Sequence, residues 1–133
     1  MACPEGFRAF VDANLTGLGV WLSSQDAGFL HVGHPDWSLP PDAIDEVWLD
    51  FVGGCGWGVI MRDKMIRRRP RERAMLEKHR MTAVVIATRR NMDFAQQQNL
   101  VREYWDVLDD TLRGGRAGLF HLTTSGIRLM EAF

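Results

Sequence analysis

Cysteine is scarce in this chain: Cys3 and Cys55 are the two it has, far apart and without the Cys-x-x-Cys spacing of a zinc site or redox pair. Two reduced thiols are expected from that usage, and a cytoplasmic location with them. No apolar run approaches the roughly 18 residues needed to cross a bilayer, so no membrane segment is expected. The opening residues, Met1 to Phe7, are not a basic region followed by an apolar stretch, and no secretory leader is expected. Neither sign of charge dominates, since 16 Lys and Arg face 17 Asp and Glu for a net charge of -1. Partners must therefore be sought in local charge, not in the sum. Internal repeats, low-complexity tracts and linkers are absent as well. His31, His34, His79 and His121 lack metal-like spacing and read as structural or surface residues.

What is present is an ordinary globular composition, 46 % hydrophobic and 25 % charged in 133 residues. A chain of that length forms one domain, 1–133, and buries about two thirds of its unfolded surface. Short apolar, β-branched runs alternate with helical patterns. Arg8 to Asp12 reads as a first strand ending in an acid, and a helical pattern with Leu15, Leu18, Trp21 and Leu22 follows from Asn14. Phe29 to Val32 is a second strand, leading into the loop GHPDWSLPPD. Asp42 is a candidate N-cap for a helix carrying Ile44, Val47, Trp48, Phe51 and Val52, which Gly53 and Gly54 stop.

Trp57, Val59, Ile60 and Met61 form a third strand, and Arg62, Asp63 and Lys64 follow at once. Pro70 sits in the first turn of a further helix. TAVVIA, Thr82 to Ala87, is the strongest strand pattern, as expected when both faces are covered. One long helix is expected from about Asp93 to Leu112, then a turn, a fifth strand at Leu119 to Leu122, and a short helix or tail in GIRLMEAF. Strands alternating with helices imply α/β architecture with a mainly parallel sheet of about five strands and right-handed crossovers.

Such a sheet gathers the carboxyl ends of its strands on one edge, where open α/β sheets bind ligands. Asp12 and Asp63 both lie there, and the helix start at Asp42, Asp45 and Glu46 can face them. Carboxylates gathered at one edge repel each other unless a cation neutralises them or one stays protonated. Oxygen-only ligands favour Mg²⁺ or Mn²⁺, which would polarise a phosphate and activate water. Arg62, Lys64, Arg67, Arg68 and Arg69 would hold a polyanionic backbone. Each feature also has a structural reading. An Asp at a strand end caps turns, Glu46 compensates a helix dipole, and RRRPRER can be a solvated basic face. GGCGWG lacks the GK[ST] end of a phosphate loop and precedes a strand instead of following one.

FVDANL at Phe10 to Leu15, PPDAIDEVWL at Pro40 to Leu49 and GWGVIMRDKMIRRRPRE at Gly56 to Glu72 resemble, in order, three signature blocks of PIN-like domain proteins. They are most similar to the VapC-like toxin branch, which reads roughly D-x-N-L, D-E-x-W-L and I-T-R-D. The resemblance runs from about residue 7 to residue 110. It implies a three-layer α/β/α fold and a metal-dependent ribonuclease site, the toxin of a toxin–antitoxin pair. By position, Asp12 matches the first-strand acid, Asp45 the acid opening the D-E-x-W-L helix, and Asp63 the acid after the third strand. Glu46 adjoins Asp45 and stays a candidate beside it. Met61 stands where the family commonly has Thr or Ser, so a hydroxyl is missing there. A fourth acid has no clear match, Asp42 and Asp93 being the candidates. The implied partners are RNA and a small antitoxin, with pairing of the chain to itself or within a toxin–antitoxin complex, and no membrane.

Two rival readings stand beside this one. The same fold could serve as a non-catalytic binding module with its acids kept for stability. A receiver-type phosphoacceptor domain also places acids at strand ends, but it needs a Lys near a later strand end, where TAVVIATRR has Arg.

Overall fold

The computed structural model describes residues 2–62 and 65–133. Asp63 and Lys64, to which the sequence reading assigned an acid and a cation of the site, lie outside the described residues. The order along the chain is β1 (Ala9–Val11), a 3-10 turn at Ala13–Leu15, α1 (Thr16–Gln25), β2 (Phe29–His31), α2 (Asp45–Gly54) and β3 (Gly58–Met61). There follow a 3-10 turn at Ile66–Arg68, α3 (Pro70–Lys78), β4 (Thr82–Ile86), α4 (Phe94–Glu103), α5 (Trp105–Gly114), β5 (Gly118–Thr123) and β6 (Gly126–Ala132).

Among the described residues the sheet has six strands in the order β2-β1-β3-β4-β5-β6. All neighbours are parallel except β5 and β6, which form an antiparallel hairpin across Thr124 and Ser125. Alternation along each strand divides the core in two. Ala9, Val11, Ile60, Val84, Ile86, Phe120 and Leu122 face the helical layer of α1, α4 and α5 through Leu18, Leu22, Leu100, Val101, Leu108 and Leu112. Phe10, Val59, Met61, Ala83, Val85 and Leu119 face α2 and α3 through Trp48, Leu49, Val52 and Leu76. The result is the expected three-layer α/β/α arrangement. Each fully buried Leu, Ile or Val contributes on the order of 2 kcal/mol, so these two faces dominate the stability.

Several local expectations need correction. Cys3 and Cys55 are not two separate thiols: they form a disulfide, with Cα atoms 5.6 Å apart. The N-terminal arm runs back beside the carboxyl end of α2, which no sequence spacing could show, and the argument from reduced thiols to the cytoplasm falls with it. GIRLMEAF is neither helix nor tail but the sixth strand, half buried along its length. The single long helix is two, because the helical path kinks at Tyr104 (φ -110°, ψ 22°). The Tyr104 hydroxyl donates to the Thr124 carbonyl at 2.6 Å, so a tertiary contact coincides with a kink that no Pro or Gly marks. Asp42 does not cap α2; it lies in a turn closed by Ala43 N–H donating to Pro40 O, and the helix begins at Asp45.

Two glycines decide how α2 is seated. Gly56 takes a positive φ of 75° in the turn from α2 into β3. A Cβ on Gly53 would collide with the His79 ring at the end of α3. His79 in turn lies 2.7 Å from Asp50 of α2 through Nε2, and Lys78 donates to the same oxygen at 3.1 Å. The loop after β2 closes over this side of the sheet, with Trp37 stacked on Phe10 at a centroid distance of 4.3 Å.

Candidate functional site

Because β1 lies between β2 and β3, the chain leaves β1 to one side and later returns on the other. The carboxyl ends of β1 and β3 therefore border a crevice at the topological switch point, where α/β sheets bind ligands. Asp12 is the first residue after β1, and its N–H donates to Ile60 O of β3 at 2.9 Å. Its side chain accepts from the Asn14 N–H at 3.3 Å and from Asn14 Nδ2 at 3.5 Å, capping the 3-10 turn. Asn14 escaped the sequence reading as a site residue. The signal was the D-x-N spacing itself, which lets the amide reach back to the acid.

Asp12 is only 5 % exposed. Burial pushes its carboxyl up from 3.8 to about 6, the Asn14 N–H works against that rise, and the negative charge of Asp45 adds to it. Asp45 is the first residue of α2 and lines the same cavity as Asp12. The Trp48 indole N–H donates to Asp45 Oδ1 at 2.9 Å, one helical turn on, and fixes the carboxylate at the helix start. Glu46, the neighbouring candidate, is half buried and lies away from the residues lining that cavity.

The cavity is about 520 Å³ and is walled by Asp12, Asn14, Asp45, Trp48, Arg62 and Arg69 over a floor of Leu49, Met61 and Ile66. The expected basic run is thus divided. Arg62 and Arg69 border the acids, whereas Arg67 and Arg68 line a different hollow with Met65, Arg73, His121 and Glu131. Glu131 of β6 ties Arg67 at 3.6 Å and also pairs with Arg73. That division is set by a carboxylate on the C-terminal strand, which the sequence reading did not contain. Arg62 also reaches away from the acids, its Nη2 donating to Asn91 Oδ1 at 2.6 Å.

A divalent cation suits the donors that are described. Two carboxylates share one polar cavity, neither forms an ion pair among the described residues, and one is buried enough to resist ionisation. That is the environment a hard cation with oxygen ligands relieves. Among the described residues no group of three His, Cys, Asp or Glu side chains converges, and the third expected acid, Asp63, is not one of them. Of the candidates for a fourth acid, Asp42 stands in the turn before α2. Asp93 accepts from Gln96 N–H at 2.8 Å while Gln96 Oε1 accepts from Asp93 N–H at 2.9 Å, a complete capping box on α4.

Among the described residues no helix is long and apolar enough to cross a membrane. No curated protein and no solved structure matches the chain. The family model described as a PIN-like domain does match it, over residues 7–88, a span that carries Asp12, Asp45 and Arg62 together with strands β1 to β4. With more than half its length covered, this chain belongs to the PIN-like domain family.

Proposed function

We propose that the protein is a metal-dependent endoribonuclease acting as the toxin of a type II toxin–antitoxin pair. The observation that carries the reading is the pairing of a buried Asp12 with Asp45 across one open cavity at the sheet's switch point, flanked by two guanidinium groups. In this reading Asp12, Asp45 and Asp63 hold Mg²⁺ or Mn²⁺. Glu46 is left out of the ligand set because it stands off the cavity wall.

The bound cation supplies neutralisation of the carboxylates, polarisation of a phosphate oxygen and a water acidic enough to give hydroxide near neutral pH. The chain's own residues do the rest. Arg69 meets the phosphodiester at the mouth of the cavity, and Arg62, whose Nη2 is held by Asn91, meets the adjoining phosphate, since planar guanidinium geometry matches two phosphate oxygens. Trp48 holds Asp45 in one rotamer, and Asn14 holds Asp12, so the ligands need no reorganisation when substrate arrives. Hydrolysis would break the bond between phosphorus and a ribose oxygen, with water supplying the hydroxyl on phosphorus and the proton on the leaving oxygen. Arg67 and Arg68 in the neighbouring hollow, and Lys64, which lies outside the described residues, are the further candidates for holding the RNA backbone in this reading.

The partner in this reading is a small antitoxin that presents a basic side chain to the acidic cavity, and the chain pairs with itself or within the toxin–antitoxin complex. Its place of action is the cytoplasm, where its RNA is. The test is cleavage of labelled single-stranded RNA with Mn²⁺ by the parent protein and by Asp12→Asn and Asp63→Asn. Loss of cleavage in both variants and on chelation supports the site. Cleavage that survives substitution and chelation overturns it, and an inactive parent that still binds RNA points to the non-catalytic binding module.

A further inference from the structure

A second groove opens on the same sheet edge as the acids, between the segment that follows β4 and the β5–β6 turn. It is about 680 Å³ and is lined by Arg89, Arg90, Asn91, Gln96, Thr123 and Ser125 among others, with no carboxylate on its wall among the described residues. Hydrogen bonds involving the main chain hold its walls. Ala87 N–H donates to Leu122 O at 3.0 Å, Thr88 Oγ1 donates to Arg90 O at 2.7 Å, and Ser125 N–H donates to Thr123 Oγ1 at 3.1 Å. Arg89 and Arg90 are exposed, and among the described residues neither is in an ion pair. Other arginines are neutralised locally: Arg8 by Asp26 and Asp109, Arg73 by Glu77 and Glu131, Arg113 by Asp109. Asp93, close by in sequence, is taken up by the capping box of α4.

The two cavities are neighbours: Arg62 lines the acid cavity, Asn91 lines the groove, and a 2.6 Å hydrogen bond links the two residues. A strand with one phosphate over Asp12 and Asp45 and the next on Arg62 would pass toward the groove. The groove lining has no aromatic ring on which a base could stack. It offers guanidinium, hydroxyl and amide groups, which recognise the sugar–phosphate backbone and not the sequence.

We propose that the Arg89–Arg90 groove is a backbone subsite for single-stranded RNA, holding the phosphates that flank the one at the acid cavity. This rests on the nuclease reading and adds to it a requirement for substrate length.

The test uses the full chain carrying Asp12→Asn, so that RNA is bound without being cut, with and without Arg89→Ser and Arg90→Ser together. The probes are fluorescein-labelled single-stranded RNAs of about twelve and about three nucleotides. The double substitution is expected to weaken the longer RNA about tenfold and to lower the slope of log K against log salt by about 1.4, as for two lost phosphate contacts on a single strand. Binding of the shorter RNA stays within about twofold, and the charge-matched Arg71→Ser with Arg116→Ser changes neither. Equal weakening of both lengths, or an unchanged affinity for the longer RNA, overturns the subsite alone. If the Asp12→Asn protein binds neither RNA, the subsite and the nuclease reading fall together. Displacement of the longer RNA from the groove by polyglutamate at lower charge concentration than by a second RNA overturns it in favour of an acidic protein partner.

Discussion

The backbone N–H of Asp12 donates to the carbonyl of Ile60 at 2.9 Å, so the first acid leaves β1 while its main chain is still laddered to β3. The side chain is thereby held at 5 % exposure with Asp45 opposite, and its ionised form is disfavoured. A carboxyl raised from 3.8 to about 6 contributes stability that is present below the lower value and lost as pH rises through the upper one. Asp12→Asn is therefore expected to stabilise the protein in EDTA at pH 7.5, by up to about 3 kcal/mol, while abolishing cleavage. The gain shrinks toward pH 4. Urea unfolding at both pH values checks this, and a gain independent of pH would contradict it.

Asp45 and Glu46 are adjacent in sequence, but of the two Asp45 alone lines the cavity. Asp45→Asn is expected to lower Mn²⁺-dependent cleavage by about 100-fold or more, and Glu46→Gln to stay within about threefold. Trp48→Phe keeps the ring but removes the donor to Asp45. It should raise the Mn²⁺ concentration needed for half-maximal rate about tenfold at nearly unchanged maximal rate, the mark of a positioning residue. A Mn²⁺ titration of each variant's rate reads all three, and a larger loss for Glu46→Gln than for Asp45→Asn would reverse the assignment.

Arg8, at the entry to β1, donates to Asp26 at 2.7 and 2.9 Å and to Asp109 at 2.8 and 3.1 Å, fastening α1 and α5 to the sheet. The Arg8 hydrogen bonds hold the Asp26 carboxyl down at about 2. This contribution is present above the ordinary 3.8 and is lost as pH falls through about 2. Arg8→Met should cost about 2 kcal/mol at pH 6, discounted for partial exposure, and clearly less at pH 3. An equal loss at both pH values would mean that packing over Phe29, where the guanidinium lies 4.7 Å from the ring centroid, dominates instead.

The Cys3–Cys55 bond closes a loop with a sequence separation of 52. Chain entropy sets the ceiling on its contribution at about 4 kcal/mol. Because it anchors a terminal arm on the far end of α2 from Asp45, reduction should lower the thermal midpoint without lowering the cleavage rate below it. Thermal scans and rate measurements with and without dithiothreitol test this. A rate that falls with reduction at 25 °C would tie the arm to the site.

Period-two and helical patterns in the sequence were enough for the strands β1 to β5, for the two helical layers and for the strand end that carries Asp12, whose cavity Asp45 shares. Those follow from local sterics and from which faces must be buried, both written in residue order. The strand in GIRLMEAF was not legible, since Ile127 and Leu129 acquire their partners only when β5 is beside them. Nor was the kink at Tyr104, whose hydroxyl bond crosses to the β5–β6 turn. The division of the arginines, Arg62 and Arg69 to the acids and Arg67 to Glu131, depends on a C-terminal carboxylate about sixty residues away. By itself the sequence determined which residue types lie at the ends of which strands. Only the tertiary structure decided which of them share a cavity, because electrostatics and desolvation act through space and take no account of separation along the chain.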